Sequence, residues 1–134
     1  MIKKTLFLCL VLCSSLFADI KFVTKLEDGM AIAQKENKLV VLTVVSTNCG
    51  WCHKLLNETL KNKKVEDIVN KNFVYVVLNK DIDQIPGNLK TKLVPVTYFF
   101  DAKGNELTKR PALGFWEAED FVAYLNDALK KAKR

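Results

Sequence analysis

The stretch Leu39-Val40-Val41-Leu42-Thr43-Val44-Val45-Ser46-Thr47-Asn48-Cys49-Gly50-Trp51-Cys52-His53 decides both the architecture and the chemistry of this chain. Its first seven residues are aliphatic apart from Thr43 and show no polar alternation, the pattern of a strand buried on both faces. Ser46-Thr47-Asn48 reads as a turn. From Cys49 to about Leu60 the residues Cys52, Leu55, Leu56 and Leu60 recur at helical spacing. Two cysteines three apart therefore open a helix directly after a buried strand. Unpaired N–H groups and the helix dipole favour an anion there, so the Cys49 thiol is expected to ionise below the free value of about 8.5. Cys49, at the cap, is the expected exposed nucleophile. Cys52, one turn further in, is the expected buried thiol that resolves a mixed disulfide.

Working outward toward the N-terminus, Ile20 to Val23 predicts a short edge strand. Thr24 and Glu27 have capping-box spacing, and the helix that follows should run to about Glu36 and stop at Asn37, weakened by Gly29. Toward the C-terminus, Val65, Ile68 and Val69 predict further helix, and Phe73 to Leu78 a second strand buried on both faces. Asp81 to Lys92, with Pro86-Gly87, reads as a turn with a short helix. Val96 to Phe100 is a third strand, Asp101 to Asn105 a hairpin turn, and Glu106 to Lys109 its returning arm. A last helix is expected from about Trp116 to Lys131, burying Phe121, Tyr124, Leu125, Ala128 and Leu129. This order gives an α/β sandwich with a mixed central sheet.

The chain has 134 residues and a formal charge of +6, enough for one domain. Lys3 and Lys4, the apolar run Thr5 to Leu12, and Ser14-Ser15-Leu16-Phe17-Ala18 have the layout of a secretory signal peptide over residues 1–18, with the domain over 19–134. The apolar run is too short to span a bilayer comfortably. Leu10 to Cys13 partly matches a lipid-attachment box, with Leu12 where a small residue is expected. Loss of the leader removes Cys9 and Cys13 and leaves only Cys49 and Cys52. Such a close pair restrains the unfolded chain little and reads as reactive rather than structural. The basic cluster Lys130, Lys131, Lys133 and Arg134 complements the negative end of the last helix. It calls for no nucleic-acid partner.

Val44 through Leu56 resembles the thioredoxin superfamily. The likeness is strongest to exported bacterial thioredoxin-like thiol–disulfide oxidoreductases that carry Trp before the second cysteine. Leu78-Asn79-Lys80-Asp81 is similar to the family's third strand end, Asp101 to Gly104 to its hairpin turn, and Gly114 to the glycine before its final helix. Val94-Pro95 sits where the family has its cis-proline. The resemblance implies a three-layer thioredoxin-like sandwich, with Pro95 facing the cysteine pair and the Val94 backbone pairing with an extended substrate segment. It also implies protein thiol or disulfide substrates and a membrane-embedded electron-transfer partner in the periplasm. The expected molecule is a monomer without cofactor or metal. Reduction is the expected direction, because the chain lacks the large helical insertion of DsbA-like oxidases. One departure stands out. Thioredoxins often bury an acidic residue six positions before the first cysteine, where this chain has Thr43, which cannot serve as a carboxylate proton acceptor.

Within the motif, Gly50 permits close approach of a partner chain, Trp51 offers an aromatic contact face, and His53 is a candidate modulator of the pair. Two other readings of the same residues stand. Cys49 to His53 satisfies C-x-x-C-H, the c-type haem attachment pattern, with His53 and Met30 as axial ligands. Cys49, Cys52 and His53 could also belong to a metal-binding module, although adjacent residues on a helix diverge by about 100°.

Overall fold

A computed structural model describes residues 18–134. The leader expected over residues 1–18, with its lipid-attachment alternative, falls outside the described residues except for Ala18. Strands β1 (Phe22–Val23), β2 (Leu39–Val45), β3 (Phe73–Asn79), β4 (Val96–Phe100) and β5 (Ala112–Leu113) form one sheet in the order β1-β3-β2-β4-β5. The first three of that order are parallel, and β4 runs antiparallel to both its neighbours. The sheet is mixed, as the sequence implies.

The unalternating strands are sandwiched because both sheet faces are covered. Val40, Leu42 and Val44 pack with Val74, Val76, Tyr98 and Phe100 beneath helix α1 (Leu26–Glu36). Val41 packs with Tyr75 and Phe99 on the opposite face against helices α2 (Gly50–Asn57), α3 (Lys63–Asn72) and α4 (Ala118–Ala132). In α4 the residues Phe121, Leu125 and Ala128 are buried, at the helical spacing read from the sequence.

Three local expectations are corrected. The Thr24 capping box does not form: Lys25 is the N-cap, extended at φ −133° and ψ 134°, with no side-chain cap bond. The helix begins one residue too late for Thr24 to reach its first turn. Asn37 does end α1, in the left-handed conformation at φ 53°. The returning hairpin arm is not Glu106 to Lys109. It makes a single bridge, Phe100 with Glu106, and the strand paired to β4 is Ala112–Leu113. Between them the chain bulges out of register through Pro111, which lacks the N–H that a paired position needs. The last helix starts at Ala118 rather than Trp116, whose indole packs edge-on against Tyr124 at 5.0 Å between centroids.

Gly29 is buried where α1 crosses β3, and a Cβ there would run into the Val76 side chain. Val76 is stiff and itself fully buried. Gly29→Ala is therefore expected to destabilise the fold by about 1–3 kcal/mol through overpacking, despite the helix preference for alanine of about 1 kcal/mol. Urea denaturation checks this; a stabilised variant would mean that α1 has room to move off the sheet.

Candidate active site

Strand β2, at the centre of the sheet, ends at Val45, and Ser46 to Asn48 carry the chain to Cys49, the N-cap of α2. Cys49 is extended at φ −126° and ψ 102°, which turns its Sγ back over the helix start, where the Cys52 N–H donates to it at 3.1 Å. That N–H is one of the donors a helix leaves unpaired in its first turn, so a sulfur at the cap satisfies it as a Ser or Asp oxygen would. Cys49 and Cys52 are joined in a disulfide, with Cα atoms 5.2 Å apart. Cys52 is 1% exposed, whereas Cys49 is only half-buried. Any attack from outside must fall on Cys49.

The Val94–Pro95 peptide is cis, as the resemblance implies. Cys49 Sγ lies 3.9 Å from the Val94 carbonyl oxygen, although the two residues are far apart in sequence. The Pro95 carbonyl accepts from the Gly114 N–H at 2.8 Å. Gly114 has φ +82°, a conformation that other residues adopt only with strain. Trp51, 60% exposed, faces Phe115 at 5.6 Å between ring centroids. Lys54 Nζ sits 4.7 Å from the Phe115 centroid and 5.4 Å from that of Trp51. Together Trp51, Val94, Pro95, Gly114 and Phe115 line an open hollow of about 330 Å³ beside the disulfide.

Gly50 has open space where a Cβ would stand. His53 is exposed and hydrogen-bonds through Nε2 to the Thr47 carbonyl at 3.1 Å. Met30 lies on α1 and packs with the core of the opposite sheet face, so the fold does not bring it to His53 as a second haem ligand. Among the described residues no three His, Cys, Asp or Glu side chains are grouped to hold a metal ion.

Thr43 is fully buried, and its Oγ1 meets the Tyr75 hydroxyl at 2.6 Å and Thr97 Oγ1 at 2.8 Å. The three hydroxyls come from adjacent strands and satisfy one another without an ionised group. The described residues bury no carboxylate. Burial pushes the Tyr75 phenol well above its ordinary value near 10, against the opposing hydrogen bonds of Thr43 and Thr97. Above pH 10 the unfolded phenol loses its proton while the folded one keeps it. The unfolded state then binds fewer protons, and this contribution to stability falls by up to about 1.4 kcal/mol per pH unit. Tyr75→Phe should lack that component, so the stability gap between the two proteins is expected to change between pH 9 and pH 11 in denaturant titrations. A constant gap would contradict the buried phenol.

Lys54 and Phe115 reach Trp51 only through the fold, so neither carries a signal of its own in the sequence, and Asn79 and Asp81 are marked there only by the family likeness of Leu78 to Asp81.

The Thioredoxin-like domain family profile matches residues 26–129. The thiol:disulfide interchange protein DsbD of Colwellia psychrerythraea is 26% identical over 122 residues, covering 85% of this chain and 20% of that protein. Spermatogenesis-associated protein 20 of Rattus norvegicus is 35% identical over 57 residues, which are 40% of this chain and 7% of that protein. The chain thus spans a small part of either relative. Among solved structures, a thioredoxin from Thermus thermophilus superposes with a TM-score of 0.66 at 16% identity, over 84% of this chain and 88% of the other. The oxidised DsbD C-terminal domain of Neisseria meningitidis gives 0.64 at 20% identity, over 81% and 99%.

Proposed function

We propose that this chain, which belongs to the Thioredoxin-like domain family, is a periplasmic thiol–disulfide oxidoreductase that reduces disulfides in other proteins. The observation that carries this reading is the Cys49–Cys52 disulfide at the start of α2, with Cys49 half-buried against the Val94–Pro95 peptide and Cys52 shut away behind it.

In the reduced protein the Cys49 thiolate attacks one sulfur of a substrate disulfide. A Cys49–substrate disulfide forms and the substrate's other sulfur leaves as a thiolate, which takes up a proton. Cys52 then loses its proton and attacks Cys49 Sγ. This releases the second substrate thiolate and closes the Cys49–Cys52 bond. The substrate gains two electrons, which the pair gives up. Proximity drives the second step, because the two sulfurs belong to one helical turn. Among the described residues no buried carboxylate is available to take the Cys52 proton, and Thr43 with its two hydroxyl partners is neutral. The proton is expected to pass to solvent as the mixed disulfide opens the site.

The hollow beside the pair suits an extended peptide. Trp51 and Phe115 give it an apolar face and Gly50 leaves room over the helix start, while the Val94 backbone lies beside Cys49 to pair with the incoming chain. Residues 1–18 are read as the export leader and 19–134 as the working domain. In the periplasm the oxidised pair needs an external dithiol, for which we assign a membrane-embedded electron donor. Likeness to an interchange protein supports that partner.

Cys52→Ser is expected to convert the enzyme into a trap. Cys49 still attacks, but nothing resolves the adduct, so reducible mixed disulfides should accumulate in cells. Mass spectrometry of the adducts identifies the substrates; recovery of no protein on Cys49 would sink the exchange mechanism. Equilibration of the wild-type protein with glutathione sets the direction. A reductase should poise near the thioredoxin value of about −270 mV, whereas a value near about −120 mV would make it an oxidase of the DsbA kind.

A further inference from the structure

The three residues between β2 and the motif have no regular structure to stiffen them, yet Thr47 is gripped on three sides. Its N–H donates to Asp81 Oδ2 at 2.8 Å, its carbonyl meets His53 Nε2 at 3.1 Å, and its hydroxyl accepts from the Asn79 side-chain amide at 3.1 Å. The holders come from separate elements. His53 is on α2, while Asn79 and Asp81 stand at the end of β3. The parallel register puts Asn79 beside Val45, and the Lys80 N–H donates to the Val45 carbonyl at 2.9 Å. The holders are themselves fixed. The Asp81 N–H donates to Asn79 Oδ1 at 3.0 Å, and the Asn79 N–H donates to Asp83 Oδ2 at 2.7 Å. Because a carbonyl only accepts, His53 must carry its proton on Nε2.

We propose that Asp81 and His53 are positioning residues that hold Thr47 so that Cys49 keeps the extended backbone aiming its sulfur at the Cys52 N–H. This deepens the oxidoreductase reading and rests on it for its purpose. The Sγ–N–H contact is the hydrogen bond a thiolate at this cap would accept, and hydrogen bonding to the charged form favours that form. Slack in Ser46 to Asn48 lets Cys49 rotate off the helix start and weakens the contact. Asp81 does this through its hydrogen bond and not through its charge. A carboxylate near a thiolate opposes ionisation, so an electrostatic role would have the opposite sign.

The test is the pH profile of Cys49 alkylation by iodoacetamide in the reduced full-length protein, read by mass spectrometry. Asp81→Ala is expected to move the profile alkaline by half to one pH unit, so that alkylation near pH 6 slows about three- to tenfold. Asp81→Asn keeps an oxygen that accepts from Thr47 and should restore the wild-type profile. His53→Ala, which removes the grip from the other side, should also shift alkaline, and His53→Gln, which keeps a donor, should shift less. The melting temperature of each variant is measured alongside. If Asp81→Ala lowers it but leaves the profile in place, the clamp is structural only and the proposal fails. A shift in the acid direction for both Asp81 variants would assign the effect to charge and overturn it equally. Should Asp81→Ala not fold, the His53 pair decides alone. These profiles read thiol acidity without any substrate. Failure of the wild-type protein to exchange with glutathione would therefore remove the oxidoreductase reading while the comparison of variants still stood.

Discussion

Cys49→Ser is expected to bring disulfide exchange down to the uncatalysed background. A serine hydroxyl in the same place is not ionised near neutral pH and does not attack sulfur, whereas a thiolate at a helix start does. Cys52 cannot substitute, because it is 1% exposed and lies behind Cys49 relative to solvent. The fold should survive the change. The pair closes a loop with a sequence separation of only 3, and the entropy withheld from the unfolded chain by so small a loop is slight. Turnover of a model disulfide substrate, measured together with the melting temperature, checks both halves. Retention of most of the activity by Cys49→Ser would mean that Cys52 is reachable from outside and that the assignment of attacking and resolving sulfurs is reversed.

The second large effect concerns stability. Phe121→Ala is expected to cost about 3–5 kcal/mol, the usual penalty for emptying a fully buried aromatic site. Phe121 is wholly buried in the cluster that joins α4 to the sheet through Tyr75, Phe99 and Leu125, and Leu55 of the motif helix belongs to the same cluster. Domains of this size have only about 5–15 kcal/mol in total, so the variant should sit close to the edge of folding, with a melting temperature lower by roughly 10–20 °C. Urea titration followed by circular dichroism measures it. A loss below about 1 kcal/mol would mean that α4 repacks without Phe121 and that the cluster is not the main support of the helix carrying the cysteines.

Elements whose burial is written in a local repeat were legible from the chain. The runs Leu39 to Val45 and Phe73 to Leu78 read as strands because nearly unbroken apolar residues without polar alternation require cover on both faces, and Val96 to Phe100 reads as a third from its β-branched and aromatic residues. The place of Cys49 at a helix start followed from the same run ending in a turn. Where an element depends on a partner strand, the reading slipped. Glu106 to Lys109 has a suitable position after the turn, but β4 pairs with Ala112–Leu113 after a bulge, and only the register across two strands decides that. Thr24 and Glu27 fit a capping box in spacing, yet Lys25 occupies the cap.

The sequence by itself determined the α/β order of elements, the sulfur pair at the mouth of a helix and the absence of a carboxylate at position 43. The tertiary structure alone decided what surrounds them: the hydroxyl set of Thr43, Tyr75 and Thr97, the Val94 carbonyl against Cys49, the Lys54 cation over Trp51 and Phe115, and the grip of Asp81 and His53 on Thr47. The reason is range. A strand or helix end is specified by neighbours a few residues away, which leave a period in the chain. Contacts between residues from different strands and helices leave no period, because any side chain of suitable shape and polarity arriving at that point in space would serve.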